Sequence, residues 1–348
     1  MIVKWLLVFL VSFIPVKEKE VINNYACSSY IVYDGLTDKV LEGNDVHNQR
    51  SVASISKIMT AIISIEYGMW DEYFTIGDWI NKVDGSSVYL YVGEVIKVEE
   101  LLYGLMLRSG NDCASSLAMF VSGNISSFVD LMNRKGKELG MNNTLFRNPS
   151  GLDADDGGNL STAYDMALLN SYAMKNDKYR EIVSTKEYKS SSHGVWINKN
   201  KLLRNYEYTI GGKTGYTKIA KRTLVTVAKK GDTELIVVTL NCGGDFSFHK
   251  SLYEYWFNKY KTYLVIDEGK SYIDNYVIYC DRKIYVSSIK DDKMVVNYHL
   301  IPLKDKMEIS TSESDEIVGI CQIKGKIDSK INKSDKNWFI KLIKRIFN

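Results

Sequence analysis

The sequence predicts an α+β protein that is followed by a smaller all-β unit and a terminal helix. Apolar residues recur at helical spacing in several segments between residues 55 and 174, and they alternate with a period of two after Tyr208. Residues 263–330 alternate strand-like pieces with charged turns and show no helical period. The chain of 348 residues is long enough for two domains with additional terminal segments.

Residues 1–26 are predicted to be an export signal. An apolar run at residues 5–16 follows Lys4 and is followed at once by the charged sequence KEKE. The run is too short to span a bilayer comfortably and suits the apolar region of a secretory signal. A core helix is disfavoured because no helical period extends the run, and no A-x-A pattern identifies a cleavage site. We therefore expect an exported protein.

Residues 27–262 are predicted to form one α+β domain. Strands of a hairpin are expected from Cys27, and a helix is expected to begin at Ser54 and to end near Gly68, which can stop it. After Tyr208 the chain turns to strands, two of which are joined by a hairpin at Gly231. The predicted helices are 98–107, 112–121, 126–139, 162–174 and 248–260, and the predicted strands are 209–217, 222–229 and 233–241. We expect these strands to be antiparallel and to pair with the N-terminal strand.

Residues 331–348 are predicted to form an amphipathic helix that binds a membrane surface. Lys341, Lys344 and Arg345 lie on one helical face. The opposite face carries the large apolar residues Trp338, Phe339, Leu342, Ile343, Ile346 and Phe347. The alternative is a helix that packs on its own β domain. The cations favour the membrane.

Charge and cysteine content exclude several classes of function. The 45 Lys and Arg residues nearly balance the 42 Asp and Glu residues, and no long basic run is interleaved with aromatic residues, so we expect no nucleic-acid partner. The five cysteines show no C-x-x-C spacing, which argues against a zinc site or a thioredoxin-like motif. We expect mostly buried, unpaired cysteines, with Cys280 and Cys321 as the one pair to test.

Ser54 and Lys57 are a candidate catalytic pair. They lie one turn apart at a predicted helix start, so both side chains can point into one cleft. A serine hydroxyl becomes a strong nucleophile only when a base takes its proton, and a lysine is a base only when burial or a nearby cation keeps it neutral. A second cation is therefore expected near Lys57.

Lys213, Thr214 and Gly215 can supply that cation on a predicted strand. Lys213 and Gly215 face the same way, so the ammonium can lie beside a peptide that runs along a residue without a side chain. The preceding glycines do not make a phosphate-binding loop, because that motif requires glycine where Glu207 stands.

Ser109-Gly110-Asn111 is the third candidate motif. It lies between two predicted helices and offers a hydroxyl for proton relay and an amide for a substrate carbonyl. A second copy, Ser122-Gly123-Asn124, is predicted to be a helix-capping turn. Taken alone, each of the three motifs also has a purely structural explanation, as a helix cap, a strand-edge charge or a turn.

The three motifs in this order resemble the low-molecular-mass penicillin-binding proteins of the serine D-alanyl-D-alanine carboxypeptidase type. The resemblance covers residues 27 to about 262 and includes the blocks SVASISKIMTA, DGSSVYLYVGE, SGNDCASSLA, LSTAYDMALL, NKNKLL and GGKTGYT. It implies a β-lactamase/transpeptidase-like domain. The predicted small β domain and amphipathic tail are also similar to the C-terminal architecture of this family.

The resemblance also implies a role for each motif residue. Ser54 would be the acylated nucleophile and Lys57 the general base, and Ser109 and Asn111 would serve as relay and amide contact. Lys213 and Thr214 would bind the substrate carboxylate, beside Gly215 and Tyr216, and backbone N–H groups of Ser54 and Tyr216 would form the oxyanion hole.

The implied substrate is a peptidoglycan stem peptide that ends in D-Ala-D-Ala, and β-lactams would inhibit covalently. No cofactor is expected. The enzyme would act on the outer face of the cytoplasmic membrane.

The alternatives to this hypothesis are a class A β-lactamase and a catalytically silent wall-binding protein. A class A β-lactamase deacylates through a loop glutamate, and residues 150–170 contain no Glu. A catalytically silent wall-binding protein should have lost a motif residue, and none is missing. The chain departs from the family at Ala220-Lys221-Arg222-Thr223, where a glycine is common in place of Lys221. No arginine is assigned to the substrate's terminal carboxylate.

Overall fold

The computed structural model describes residues 27–153, 157–289, 294–312 and 314–326. The predicted export signal at residues 1–26 and the predicted helix at residues 331–348 lie outside the described residues. No helix in the described ranges is long and apolar enough to cross a membrane.

The described chain mixes helices and strands up to residue 259 and continues almost entirely as strands. The strands are β1 (Cys27–Asp34), β2 (Lys39–Asn44), β3 (Arg50–Ser51), β4 (Tyr73–Thr75), β5 (Val95–Lys97), β6 (Leu160–Ser161), β7 (Glu187–Lys189), β8 (Val195–Ile197), β9 (Thr209–Thr217), β10 (Lys221–Lys230), β11 (Thr233–Cys242), β12 (Tyr260–Ile266), β13 (Gly269–Ile273), β14 (Tyr276–Cys280), β15 (Ile284–Ile289), β16 (Val296–Ile301), β17 (Lys306–Thr311) and β18 (Ser314–Lys326). The helices are α1 (Lys57–Tyr67), α2 (Val98–Tyr103), α3 (Asn111–Ser122), α4 (Ile125–Glu138), α5 (Ala163–Ala173), α6 (Asp177–Ser184), α7 (Leu202–Asn205) and α8 (Asp245–Lys259).

The central sheet is antiparallel, with strand order β2-β1-β11-β10-β9. The prediction that the N-terminal strand joins this sheet is confirmed, since Ile31 lies opposite Val238 of β11. Strands β1, β10 and β11 are buried over most of their length because helices cover both faces of the sheet. Helix α8 packs on one face together with Leu202 of α7, and the core that contains α1 and α5 lies against the opposite face. Strand β9 is an edge strand of this sheet.

The second predicted helix is interrupted. The sequence predicts one helix at 98–107, whereas the structure ends α2 at Tyr103 and continues as a single π-helical turn, Gly104–Arg108. Ser109 follows with a φ of 64°, in the left-handed region. A π turn often occurs at a functional segment of a helix. Here it ends directly before Ser109, whose Oγ accepts a hydrogen bond from Lys213 of β9.

Strands β12 to β18 form the C-terminal part of the described chain. They build a five-stranded sheet, β13-β14-β18-β17-β16, and a separate pair of β12 and β15. One short turn, Pro302–Lys304, is the helical element among described residues 260–326. Their common core is aliphatic and includes Ile278, Val286 and Ile309. The all-β character predicted for this part of the chain agrees with these elements.

The expectation of mostly unpaired cysteines is wrong, because four of the five cysteines form two disulfides. Cys280 and Cys321 form a disulfide, as the sequence analysis proposed to test. Cys27 and Cys242 also form a disulfide, although they were expected to be unpaired. They face each other in the register of β1 and β11, and 215 residues separate them in the chain. Only the strand pairing brings them together. Cys113 is free and buried.

Candidate active site

Ser54 lies in a tight turn directly before α1. The turn spans Ala53–Ser56, and Lys57 is the first residue of the α-helix, one turn after the helix start that the sequence predicts. Ala53 has a φ of 50°. A Cβ atom at Gly151 would come within 1.9 Å of the Ala53 carbonyl oxygen, so only glycine allows this approach. The loop around Gly151 therefore packs directly against the turn that carries Ser54.

Lys57 is fully buried, and its amine is surrounded by three oxygen atoms. Nζ lies 3.0 Å from Ser54 Oγ, 2.7 Å from Asn111 Oδ1 and 2.5 Å from the Ser150 carbonyl oxygen. The pKa of Lys57 is lowered to about 7, chiefly by burial and also by Lys199, while Cys113 and Asp112 act in the opposite direction. A neutral lysine is therefore accessible near neutral pH.

Ser109 and Asn111 approach the site from the π turn and from the start of α3. Lys213 Nζ donates to Ser109 Oγ at 3.0 Å, while Asn111 Oδ1 accepts from Lys57. The second copy of the motif lies elsewhere and caps helices: Gly123 ends α3, and Asn124 Oδ1 accepts from the Ser127 N–H at 2.8 Å. The predicted capping role of that copy is confirmed.

Lys213, on β9, is the second buried cation. Its ammonium donates to Ser109 Oγ and, at 2.7 Å, to the Thr214 carbonyl oxygen. Burial lowers the pKa of Lys213 well below its ordinary value, and Lys57 and Lys199 lower it further. A second cation was expected near Lys57: Lys199 is the cation that lowers the pKa of Lys57, while the pKa of Lys213 is itself lowered by Lys57.

Gly215 lets β9 reach the turn that carries Ser54. A Cβ atom at Gly215 would lie 3.0 Å from the Ser54 backbone nitrogen and 2.4 Å from Thr223 Oγ1. A side chain at this position would therefore push the strand away from the turn. Thr214 is half-buried beside it, and Tyr216 is 64% exposed at the rim.

A cavity of about 340 Å³ opens between these elements. Ser54, Ser109, Thr214, Gly215 and Tyr216 line it. Lys57, Asn111 and Lys213 lie directly behind this lining, through the contacts given above. The structure therefore brings together all eight residues that the sequence analysis selected.

The structure also shows contributors that the sequence analysis missed. Lys199 and Lys201 line the cavity together with the ion pair of Arg222 and Asp245, and the two lysines make this part of the wall cationic. Lys199 and Lys201 lie within the quoted block NKNKLL, so a charge count along that block could have drawn attention to them. The Ser150 carbonyl that accepts from Lys57 is a backbone group, so the residue type at position 150 does not reveal this contact.

The turn at Lys221 forms in this structure although the family commonly has glycine at this position. Lys221 has a φ of 56°, the conformation in which glycine is most easily accommodated. The Ala220 N–H donates to Thr217 Oγ1 at 3.0 Å and holds the turn. Beside it, Arg222 makes a two-pronged ion pair with Asp245, at 2.7 and 3.1 Å.

The sequence model of the peptidase S11 family, D-alanyl-D-alanine carboxypeptidase, matches residues 16–244. The chain belongs to this family. Among relatives of the S11 family, D-alanyl-D-alanine carboxypeptidase DacF of Bacillus subtilis is 35% identical over 224 residues, which are 62% of this chain and 57% of that protein. DacC of Escherichia coli is 33% identical over 270 residues, 73% of this chain and 67% of that protein. The chain thus spans little more than half of the Bacillus relative.

Solved structures agree with the fold. Penicillin-binding protein 5 from Haemophilus influenzae has a TM-score of 0.74 at 23% identity and covers 86% of this chain and 97% of its own. A mutant of the Streptomyces K15 DD-transpeptidase has a TM-score of 0.61 at 31% identity, over 67% of this chain and 98% of its own. The family prediction and the α+β, penicillin-binding-protein-like fold are confirmed.

Proposed function

We propose that this protein is a serine-type D-alanyl-D-alanine carboxypeptidase that removes the terminal D-alanine from peptidoglycan stem peptides through an acyl-enzyme on Ser54. The observation that carries the proposal is the setting of the Lys57 amine. A neutral amine has two N–H donors and one lone pair. Asn111 Oδ1 and the Ser150 carbonyl can accept the two donors, so the lone pair is left to face Ser54 Oγ, 3.0 Å away.

Acylation follows from this arrangement. Ser54 Oγ attacks the carbonyl carbon of the penultimate D-alanine while its proton moves to Lys57 Nζ. The backbone N–H groups of Ser54 and Tyr216 stabilise the oxyanion. The C–N bond then breaks, and the amine of the leaving D-alanine takes a proton that is relayed by Ser109, which is hydrogen-bonded to Lys213. Water afterwards attacks the ester carbonyl and passes a proton through Ser109 back to Lys213, which supplied the relayed proton. Lys57 returns its proton to Ser54 Oγ as the shortened peptide leaves.

Substrate binding is assigned to the free edge of β9. An extended peptide can pair with this edge, since β9 bonds to β10 on its other side. Gly215 leaves room for the peptide backbone, and Lys213 and Thr214 supply a cation and a hydroxyl for the terminal carboxylate. Lys199 and Lys201 in the cavity wall would attract the same anionic substrate.

The test of the activity is release of free D-alanine. The purified enzyme is incubated with a peptide that ends in D-Ala-D-Ala, with no added amine acceptor, and with a matched peptide that ends in L-Ala-L-Ala. We expect D-alanine from the first peptide alone, and none from the Ser54→Ala variant. Release only when an amine acceptor is added would instead favour a transpeptidase, the activity named for the Streptomyces K15 structure.

The β-lactamase alternative is disfavoured by the loop that faces Lys57. This loop offers the Ser150 carbonyl, and residues 150–170 contain no Glu that could activate a deacylating water. We expect a long-lived penicilloyl adduct, followed by intact-mass spectrometry over time. Rapid return to the unmodified mass, with turnover of excess penicillin, would favour a β-lactamase.

We further propose a division of the chain into an export signal (1–26), a catalytic domain (27–262), a small β domain (263–330) and a membrane-binding helix (331–348). The two disulfides suit a protein that is exported to an oxidising compartment. Three cations in the tail would each add about 1 kcal/mol of attraction to an anionic lipid surface. This would hold the enzyme on the outer face of the cytoplasmic membrane.

Deletion of residues 334–348 tests the anchor. We expect the truncated enzyme in the soluble fraction with penicillin labelling intact. If the truncated protein stays in the membrane fraction, the N-terminal segment is the anchor. If labelling is lost, the tail belongs to the fold of the protein.

A further inference from the structure

A loop beside the catalytic cavity is held by one buried carboxylate. The loop comprises residues 84–90, and the carboxylate is that of Asp112, the residue after Asn111 in α3. Asp112 is 2% exposed. Its Oδ2 accepts four hydrogen bonds from the 84–90 loop, from Ser87 Oγ at 2.5 Å and from the N–H groups of Val88, Tyr89 and Leu90 at 2.9, 2.9 and 3.2 Å.

These contacts hold the loop in an unusual conformation. Tyr89 has a φ of 70°, an uncommon value for an aromatic residue, while its ring is 82% exposed. The ring makes little contact with the protein, so the conformation is held by polar contacts of the Tyr89 N–H, which donates to Asp112 Oδ2 and, at 2.8 Å, to Ser87 Oγ. Strained residues of this kind persist only where the surroundings fix them, and they concentrate at functional sites.

The 84–90 loop in turn holds Asn111. The Asn111 backbone N–H donates to the Ser86 carbonyl at 2.6 Å, and its Nδ2 donates to the Asp84 carbonyl at 2.7 Å. Gly85 lies between these two carbonyls with a φ of 90°, and a Cβ atom there would come within 2.5 Å of Asn111 Nδ2. The loop is therefore shaped closely around the amide group of Asn111.

This contact decides which end of the Asn111 amide faces Lys57. A carbonyl oxygen accepts and cannot donate, so Asp84 can pair only with the NH₂ end of the amide. The amide oxygen is consequently directed at Lys57 Nζ, 2.7 Å away. If the amide turned over, its NH₂ group would face the N–H groups of Lys57, and one acceptor of the proposed general base would be lost.

We propose that Asp112 is a positioning residue for acylation, which acts by clamping the 84–90 loop so that Asn111 presents its oxygen to Lys57. This inference rests on the proposed function of Ser54 and Lys57. It assigns a role to a residue that touches neither the cavity lining nor the reacting atoms. Its bond to its own neighbour, the Cys113 N–H at 2.9 Å, would by itself give only a helix-start role.

Asp112 also contributes charge at Lys57. The titratable groups that face Lys57 are Asp112 and Cys113 from α3, Lys199 from the segment after β8, and Lys213 from β9. Cys113 and, by a smaller amount, Asp112 raise the pKa of Lys57, and Asp112 is the carboxylate of the two. Removing its charge should therefore shift the acylation pH profile to lower pH, since Lys57 would then lose its proton at lower pH.

The first test is Asp112→Asn, which keeps the size of the side chain. We measure the second-order rate constant of penicillin acylation from pH 5 to pH 9 and the hydrogen–deuterium exchange of residues 86–91. We expect a fall in the rate of about ten- to a hundredfold at high pH, as for misplacement of catalytic groups by about 1 Å. We also expect faster exchange in the loop and a lower midpoint of the pH profile.

Asp165→Asn is the matched control. Asp165 is also buried and also clamps a loop, through the Asn143 N–H at 2.9 Å and Thr144 Oγ1 at 2.7 Å. It is not among the groups that shift the pKa of Lys57. We expect this variant to leave the midpoint of the acylation profile unchanged.

A second variant keeps the inference testable if Asp112→Asn does not fold. Ser87→Ala removes the Ser87 contact to Asp112 and the bond from the Tyr89 N–H to Ser87 Oγ, and it leaves the carboxylate in place. We expect faster loop exchange and severalfold slower acylation, with an unchanged midpoint. Faster exchange without slower acylation would overturn the inference, as would a folded Asp112→Asn variant with the wild-type rate and midpoint. If the wild-type enzyme itself is not acylated, the proposed function fails instead.

Discussion

The cavity region and the C-terminal strands differ in what they bury. Beside the cavity, Lys57 and Lys213 are 0% and 1% exposed, and Asp112 is also buried. Among described residues 260–326, the buried polar side chains are all Ser or Thr, around an aliphatic core. Burying an ionisable amine costs free energy or forces its pKa down. The cavity region thus bears a cost that the proposed neutral base would explain, whereas described residues 260–326 bury no charged side chain.

Cavity volume alone would have favoured the C-terminal strands over the candidate active site. A larger cavity of about 860 Å³ lies in the C-terminal part and is lined by Lys304, Asp305 and Lys306, among others. It contains no buried amine and no serine in contact with one. The smaller cavity of 340 Å³ is the candidate active site because of the groups behind its lining.

The largest effect is expected from Ser54→Ala. Loss of the nucleophile should abolish covalent labelling by a fluorescent penicillin and lower D-alanine release about a thousandfold or more. Ser56→Ala is the control, since Ser56 lies in the same turn and donates only to the Ala53 carbonyl. Labelling of the Ser54 variant at full strength would show that the nucleophile is elsewhere.

Lys57→Ala should slow acylation by about a hundredfold or more, because a positioned general base is removed. Stopped-flow labelling with penicillin measures the rate, and a thermal melt confirms that the variant is folded. Near-normal acylation would show that another group takes the proton of Ser54.

The wild-type pH profile sharpens the same assignment. Lys57 must be neutral to accept a proton, and burial lowers its pKa to about 7. The acylation rate should therefore rise with pH, with a midpoint of about 7, and fall about tenfold per pH unit below it. A rate that is constant from pH 5 to pH 9 would contradict a titrating base at this site.

A matched pair of core substitutions compares the two regions directly. Ile58 of α1 and Ile309 of β17 are both 0% exposed. Replacement of either by alanine should cost about 2–5 kcal/mol of local stability. We expect Ile58→Ala to reduce penicillin labelling on mild heating, whereas Ile309→Ala should melt the C-terminal strands and leave labelling unchanged. Equal loss of labelling in both variants would mean that the regions unfold together.

The smallest effect is expected where the two regions meet. Asp34 of β1 accepts hydrogen bonds from Tyr260 Oη at 2.7 Å and Thr262 Oγ1 at 2.9 Å, both on β12. Asp34→Asn should lower the free energy of unfolding by about 1–3 kcal/mol, because an NH₂ group would replace an acceptor. Penicillin labelling at 25 °C should not change. Asp45→Asn, at an exposed turn, is the control for the thermal melt.

Elements with a strong local signal were predictable from the sequence. The period of α1 and the alternation of β9, β10 and β11 depend only on neighbouring residues, and these elements appear close to the predicted bounds. The π turn after α2 was not predictable, because its apolar residues keep the helical period while the backbone changes. The Cys27–Cys242 disulfide was missed for a related reason, since it depends on which strands pair across the whole domain.

The sequence by itself determined the chemical groups of the site, because Ser54, Lys57, Ser109, Asn111 and Lys213 lie in short motifs whose residue types suggest their chemistry. Only the tertiary structure decided how these groups act on one another. The Ser150 carbonyl at Lys57, the pKa of the buried amines and the orientation of Asn111 all depend on atoms that are distant in the chain. The residue type at a position does not show where its backbone groups will lie or how deeply it will be buried. These properties therefore arise only when the loops close around the cavity.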